Sequence, residues 1–487
     1  PDKIIHSGDT DTAIRFPAAN TVSVETSGSE ALRVTSAGRV RIGHTSGTAG
    51  GFNPKLAIEG VDSDAAISAF RHSSNSFGPF LFLGKSRASS VGGSTIVQDD
   101  DKLGQIVFFG ADGTDVNSQA AQIQASVDGT PGANDMPGKL TFSTTSDGAV
   151  TPTARLTIDS TGKATFTVDA SINSVTIGEG AGSVSGNTVV GATALDANTS
   201  GASNTAIGFG ALTENTTGDS NTSVGRLSLA SNTTGQQNTA VGKGTLNANT
   251  TANDNTAVGM NALLVNTTGA NNTAIGLSAL LANTTASNNT AVGRVALTAN
   301  TTGHSNTAVG ASALDANTTG QYNTAVGIDA GGKITSGANN TVFGSLALDA
   351  NTTGGSNTAL GMHALGTNTT ANNNTAVGYQ TLYVNTTGEE NTAVGSNALD
   401  ANTTGEKNTA LGMHALSQNT TGSQNVSIGR GSLGSSTTAS NNTALGYFAL
   451  QQNSTATNNT AIGHSALTAN TTGENNVAVG ALALDAN

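Results

Sequence analysis

The stretch "NTAVGMNALLVNTTGAN", Asn255 to Asn271, runs without a break into "NTAIGLSALLANTTASN" from Asn272 and "NTAVGRVALTANTTGHS" from Asn289. An Asn opens such a unit at position 187 and every 17 residues onward to 476, making 18 units, the last cut short. Every unit has Gly four places after its opening Asn, and the residue three places on is always apolar (Ile207, Val258, Phe343, Leu411). Leu stands eight places on, except where Gly331 replaces it, and Asn recurs eleven places on, except at Ile334 and Ser436. No insertion interrupts the array. Loops tolerate insertions, whereas stacked coils do not.

A helical repeat would need about ten residues per helix with apolar positions at i, i+3, i+4 and i+7. These units offer Thr, Asn and at least one Gly instead, two or more in most of them. The expected fold is therefore all-β, a β-solenoid or β-roll with one 17-residue unit per coil. Two short strands are expected in each coil, N-T-A-V-G and A-L-x-x-N-T-T, joined by Gly- and Asn-rich turns. Stacking would place like residues above like, about 4.8 Å apart. Asn204, Asn221 and Asn238 should then form an amide ladder, and the recurrent Gly should occupy a turn that needs positive φ. The two large apolar side chains of each unit, three and eight places on, make a thin core for seventeen residues. The small Ala206 and Ala211 would let a second surface approach closely, which predicts a parallel homotrimer.

Composition agrees with a repetitive fold. Of 487 residues 62 are Gly, aromatic residues are 3%, charged residues 10%, and there is no Trp. A formal net charge of −13 weighs against nucleic-acid partners, which need clustered Lys and Arg, and against adhesion to anionic lipid. Without cysteine there is neither a disulfide framework nor a thiolate metal site. No run of about 18 apolar residues suggests membrane insertion. The chain opens on Pro1 and stops within a repeat at Asn487, as a piece of a longer protein would.

Ahead of the array, "NSVTIGEGAGSVSG" (Asn173 to Gly186) reads as a 14-residue unit of the same general type. Further back, "ALRVTSAGRVRIG" (Ala31 to Gly43) and "ARLTIDSTGKATF" (Ala154 to Phe166) read as two copies of one hairpin. Between them Phe52, Phe70, Phe77, Phe80, Phe82, Phe108, Phe109 and Phe142 concentrate, against three Phe in the whole array. The expected organisation is a β-rich N-terminal segment at 1–50 and a globular β-rich domain with an aromatic core at 51–150. A hairpin and connector at 151–186 and the solenoid at 187–487 would follow.

The 14-residue unit resembles the head repeats of trimeric autotransporter adhesins, which form a trimeric left-handed β-roll. The longer N-T-A-V-G…A-L…N-T-T-G array is more similar to repeats of bacteriophage tail fibres, especially those of cyanobacterial and marine phages. So are "DKIIHSGDTDTAIRF" (Asp2 to Phe16) and "DGTPGANDMPGKLTFSTTSDG" (Asp128 to Gly148). The resemblance implies a homotrimeric fibre in the virion tail. Its partners would be other tail components and a host-surface glycan or protein. Such fibres often carry a C-terminal chaperone that is cut off after trimerisation; here it would lie beyond Asn487. The alternative location is a bacterial cell surface.

Few residues suggest chemistry. "GPFLFLGKS" (Gly78 to Ser86) has five residues between its glycines where a phosphate loop needs four, so Phe80, Leu81 and Phe82 read as a buried strand. "QDDDK" (Gln98 to Lys102) and "DGTD" (Asp112 to Asp115) lack the spacing of calcium loops and read as solvated turns. His363 and His414 share a place in their units but lie three coils, about 14 Å, apart, too far to share a metal. Asn-Thr-Thr is formally a glycosylation sequon, and its Thr pair suggests ice binding. However, adjacent side chains such as Thr216 and Thr217 point to opposite faces of a strand. Variation at Gln236, Glu389, Lys407 and Tyr447 reads as drift on a solvated surface. No catalytic, cofactor-binding or metal residue is expected. The reading is a structural fibre, with any unique glycan or docking site in 51–150. Its rivals are a bacterial adhesin stalk, a depolymerase with a groove in 51–150, and an ice-binding protein.

Overall fold

A computed structural model describes residues 3–5, 7–42, 56–58, 66–72, 74, 76, 78–114 and 117–485. It comprises two units, Pro1–Val168 and Asp169–Asn487.

The second unit is a β-solenoid. Its sheet has twenty strands in strict chain order, and from Thr188–Gly191 to Val477–Val479 each strand pairs in parallel with the next. The register advances by one repeat at every step, Thr256 opposite Thr273 and Ala257 opposite Ala274. Eighteen coils at about 4.8 Å each rise about 80 Å.

Each coil has one strand, of three residues in all but the first, such as Thr256–Val258, where two were expected. The second stretch, A-L-x-x-N-T-T, is a chain of turns. Its Leu lies in the left-handed region, Leu263 at φ 51° and Leu280 at φ 52°, a conformation no strand contains. Those turns still bond from coil to coil: the Leu263 N–H donates to Ala279 O at 3.0 Å and that of Thr267 to Thr284 O at 2.8 Å. Left-handed φ is unfavourable for Leu, but here it aims the side chain inward, where burial outweighs the strain. Gly259, at φ 130°, makes the turn that follows the strand; a Cβ there would lie 2.5 Å from Gly276 O.

A single strand per coil redistributes the side chains. Its middle residue points inward and its ends outward, so Ala257 is fully buried and Val258 is 36% exposed. The Val or Ile three places on is therefore a surface residue, contrary to expectation. Ala206 and Ala211 likewise line no chain-to-chain contact; both are fully buried beside Leu212 inside their own coil. The core is a column of Leu and paired Ala, and these two Ala positions face one another. Where Ser223 replaces the first, Ser228 replaces the second, and their hydroxyls meet at 2.5 Å. Ser427 and Ser432 repeat the exchange, also hydroxyl to hydroxyl.

Two Asn columns flank this core. In the first, Asn221 Nδ2 donates to Asn204 Oδ1 at 3.2 Å, and Asn238 Nδ2 to Asn221 Oδ1 at 3.1 Å, the expected ladder. In the second, Asn249 Nδ2 donates to Asn232 Oδ1 at 2.8 Å and also to Ala252 O, closing the turn. These amides are buried, so nearly all their hydrogen-bonding capacity must be met internally.

The 14-residue unit at Asn173–Gly186 is not a parallel coil. Its strand Val175–Gly178 runs antiparallel to Thr188–Gly191 and to Ala170–Ile172. Asp169 accepts the N–H groups of Glu179 and Gly180 at 2.8 and 2.7 Å, and the Ala181 N–H donates to Leu195 O at 3.1 Å. The segment closes the open end of the stack, as terminal caps of repeat proteins do.

The first unit holds two sheets. One has six strands in chain order from Lys3–Ile5 to Leu56–Ile58, and the other five, from Lys102–Gly110 to Ala164–Phe166. The two predicted hairpins close identically. The N–H of Gly38 bonds Thr35 O and that of Gly162 bonds Asp159 O, with Thr35 and Asp159 paired to Arg39 and Lys163. The five-stranded sheet includes both Ser118–Val127 and Thr153–Ile158, so it spans position 150. Among the described residues the expected aromatic core does not form within one chain. Phe70, Phe80, Phe82 and Phe108 are 83%, 61%, 86% and 51% exposed. Phe80–Phe82 lies outside any strand, correcting the buried strand expected there. A single-layer sheet has no second layer to cover such side chains. Phe52 and Phe77 lie outside the described residues.

Candidate functional surface

Coils built from near-identical residues present ranks of near-identical side chains. The outward ends of the strand form two ranks, Thr at the first position (Thr205, Thr256) in all coils but two, where Val426 and Val477 stand, and the apolar residue at the third. Ten of the eighteen third-position residues are exposed, among them Ile207 at 37%, Ile275 at 41%, Leu360 at 46% and Leu411 at 45%, and the other eight, such as Val224 and Val309, are half-buried. Two places further on lies a mixed rank with cations and exposed apolar residues, among them Arg226, Met260 and Tyr447. Tyr447 is more than drift. Its ring stacks on His464 at 5.2 Å, and the Arg430 guanidinium lies 5.9 Å from the same ring.

The Asn-Thr-Thr turn offers neither a sugar acceptor nor paired threonines. Asn215 is fully buried with Nδ2 bonded to Asn198 Oδ1 and Gly218 O. Thr216 Oγ1 donates to Thr233 O at 3.0 Å, while Thr217 faces solvent.

Some carboxylates of the stack are held uncomfortably. Burial pushes Asp315, Asp349 and Asp400 above the usual carboxylate range, Asp315 further through the neighbouring Asp329. Asp400 Oδ2 accepts from Asn397 at 3.3 Å, but its Oδ1 is buried without a partner.

In the first unit the QDDDK segment is an ion-pair hub. Asp101 is bonded by Arg87 at 2.6 Å and Lys85 at 2.5 Å, which hold its carboxyl well below the usual range, and by the Gln98 N–H. Asp100 takes Lys139 at 2.6 Å, and Asp99 accepts the Gly129 N–H at 2.7 Å. Asp112 binds Thr114 and Ser118; Asp115 lies outside the described residues. A cleft of about 620 Å³ is lined by Lys85, Ser86, Thr95, Val97 and Met136 among others, and none of its lining residues is a carboxylate. Among the described residues no three His, Asp or Glu gather where a metal could sit, and no helix is long and apolar enough to cross a membrane. His363 packs edge-on against Tyr383, with ring centroids 5.7 Å apart, and stands three coils from His414.

Sequence reading missed the exposure of the third-position rank. The strand T-A-V alternates equally well in either sense, so its sequence alone carried no signal; the narrow space left beside the Leu column admits Ala and turns its neighbours outward.

No protein-family model matches the chain, and no curated protein matches it. Among solved structures it is similar to the carboxy-terminal domain of the bacteriophage T5 L-shaped tail fibre. That likeness has 15% identity and a TM-score of 0.26, over 35% of this chain and 79% of that one. So loose a likeness carries no argument about function, which must come from the chain's own geometry.

Proposed function

We propose that this chain is the shaft of a homotrimeric bacteriophage tail fibre, a spacer that holds a host-attachment device away from the virion. The observation that carries this reading is the uninterrupted stack of eighteen coils, each presenting almost the surface of its neighbours. Such a surface suits reach and rigidity better than chemistry at one point. Backbone bonds around the whole coil and two buried amide columns resist proteases and shear without disulfides. The resemblance of Asp2 to Phe16 and Asp128 to Gly148 to tail-fibre sequences points to the virion. The adhesin reading loses ground because the 14-residue segment on which it leans is an antiparallel cap.

Immunogold labelling with antibodies to the repeat tests the proposal. Label on fibres of phage particles supports it. Label confined to a bacterial cell surface overturns it in favour of the adhesin stalk.

A further inference from the structure

We infer that the solenoid binds one water molecule inside its core at Ser436, where the water takes over the hydrogen bonds of a side-chain amide. The inference is independent of the fibre reading. It rests on the second Asn column, in which each amide has three roles. Asn249 shows them. Its Nδ2 donates to Asn232 Oδ1 in the preceding coil at 2.8 Å and to Ala252 O in its own coil at 3.1 Å. Its Oδ1 accepts from Asn266 Nδ2 in the following coil at 3.1 Å. Where Ser436 replaces the Asn, all three partners are left over. Asn419 Oδ1 is buried without a donor. Asn453 Nδ2 donates to Ala456 O at 2.8 Å and to no other group. Ala439 O accepts from Asn425 Nδ2 at 2.8 Å, but lacks the second amide donor that Gly422 O receives from Asn419 at 3.0 Å. Ser436 Oγ, fully buried, has no partner either.

Buried polar groups in native proteins are nearly all hydrogen-bonded, through an ordered water where the chain supplies no partner. Water suits this place in size and in chemistry. Serine is smaller than asparagine by a volume on the order of 30 Å³, one water's share of the liquid. Ala439 does not take up that room, because Ala also stands at its place in the coils of Asn249, Asn283, Asn368 and Asn453, each with its amide present. Water offers two donors and two acceptors. The donors match Asn419 Oδ1 and Ala439 O, and the acceptors match the N–H of Asn453 and the hydroxyl of Ser436. An ammonium ion has the size but no acceptor for the Asn453 N–H, and a metal cation would face the same donor, so the site selects water. The other break in the column gives the contrast. Asn317 Oδ1 also lacks a donor, but the fully buried, apolar Ile334 fills the space beside it, and that break stays dry. The water at Ser436 carries the polar column across its coil, joining the run that ends at Asn419 to the one that begins at Asn453.

Crystal structures of the chain and two variants, at a resolution that shows ordered waters, test this. In the unaltered chain one water should lie within about 3.2 Å of both Asn419 Oδ1 and Ser436 Oγ, with none beside Asn317 Oδ1. Ser436→Asn should expel it and restore amide-to-amide bonds on both sides. Ser436→Ala should keep it, since the room and the other three partners remain. Urea unfolding gives a second readout. Ser436→Asn exchanges bonds to water for the same bonds to an amide, so its midpoint should stay near that of the unaltered chain. A dry Ser436 site in the unaltered chain would overturn the inference, as would water at both breaks. So would a steep rise in the midpoint of Ser436→Asn, the mark of polar groups that had gone unmet.

Discussion

Ile334 and Gly331 break the repeat in the same coil, and the structure shows them to be one event. Gly331 takes the place of the buried Leu, and Ile334, fully buried where Asn is usual, fills the vacated volume. A Cβ on Gly331 would lie 2.9 Å from Ile334 Cδ1. The exchange interrupts the amide column: Asn317 Oδ1 has no donor, and Asn351 Nδ2 bonds only Gly354 O. Ser436 does the same to Asn419 Oδ1. Gly331→Leu alone should overpack the coil at a cost of about 1–3 kcal/mol. Ile334→Asn alone should leave a cavity and cost about 2–4 kcal/mol. Combined, they restore the standard coil, so the double variant should be more stable than either single one. Urea unfolding, with hydrogen exchange read across 323–339, would detect that coupling.

Asp400 allows a test by pH. Its carboxyl is raised above the unfolded value of 3.8 by burial, so the folded chain holds the proton more tightly than the unfolded chain does. Folding therefore loses stability as pH rises from 3.8 through the raised value, and regains it on acidification. Asp400→Asn should raise the urea midpoint at pH 7, and its advantage should fade below about pH 3.5. Asp315→Asn should behave alike. An advantage that persisted unchanged in acid would assign the effect to packing.

The turns separate two kinds of glycine. Gly259 needs its positive φ, and a Cβ there meets the backbone of the next coil. Gly269 has ordinary φ, and a Cβ would again approach a backbone oxygen, that of Ala286. Yet Ala252 and Ala286 occupy the place equivalent to Gly269 in neighbouring coils, so the turn accommodates a Cβ there. Gly259→Ala should disrupt the stack locally, seen as loss of amide protection over the adjoining coils. Gly269→Ala should leave protection nearly unchanged.

Over the whole stack, coils are interchangeable because each bonds only to its neighbours. Deleting three complete coils, Asn255 to Ser305, should shorten the fibre by about 14 Å and leave assembly intact. Deleting ten residues inside one coil shifts every column out of register and should break the stack. Electron microscopy of the two variants distinguishes these outcomes, and equal behaviour would contradict the in-register solenoid.

The repeat length, the parallel stacking, the Asn204–Asn221–Asn238 ladder and the Gly turn were all legible in the sequence. A stack with a fixed period converts sequence spacing directly into spatial neighbours. The paired hairpins were legible too, because turn chemistry is local. Which side of the strand faces inward was a matter for the tertiary structure. Thr-Ala-Val alternates equally well in either sense, and only the width left between the Leu column and the strand decides that Ala fits and Val does not. The same holds for Leu263, whose left-handed backbone no propensity favours; burial of its side chain against the coils above and below holds it there. Packing also turned the 14-residue segment from a coil into a cap and left the aromatic residues of the first unit without cover, since both depend on what lies alongside rather than on what the residues are.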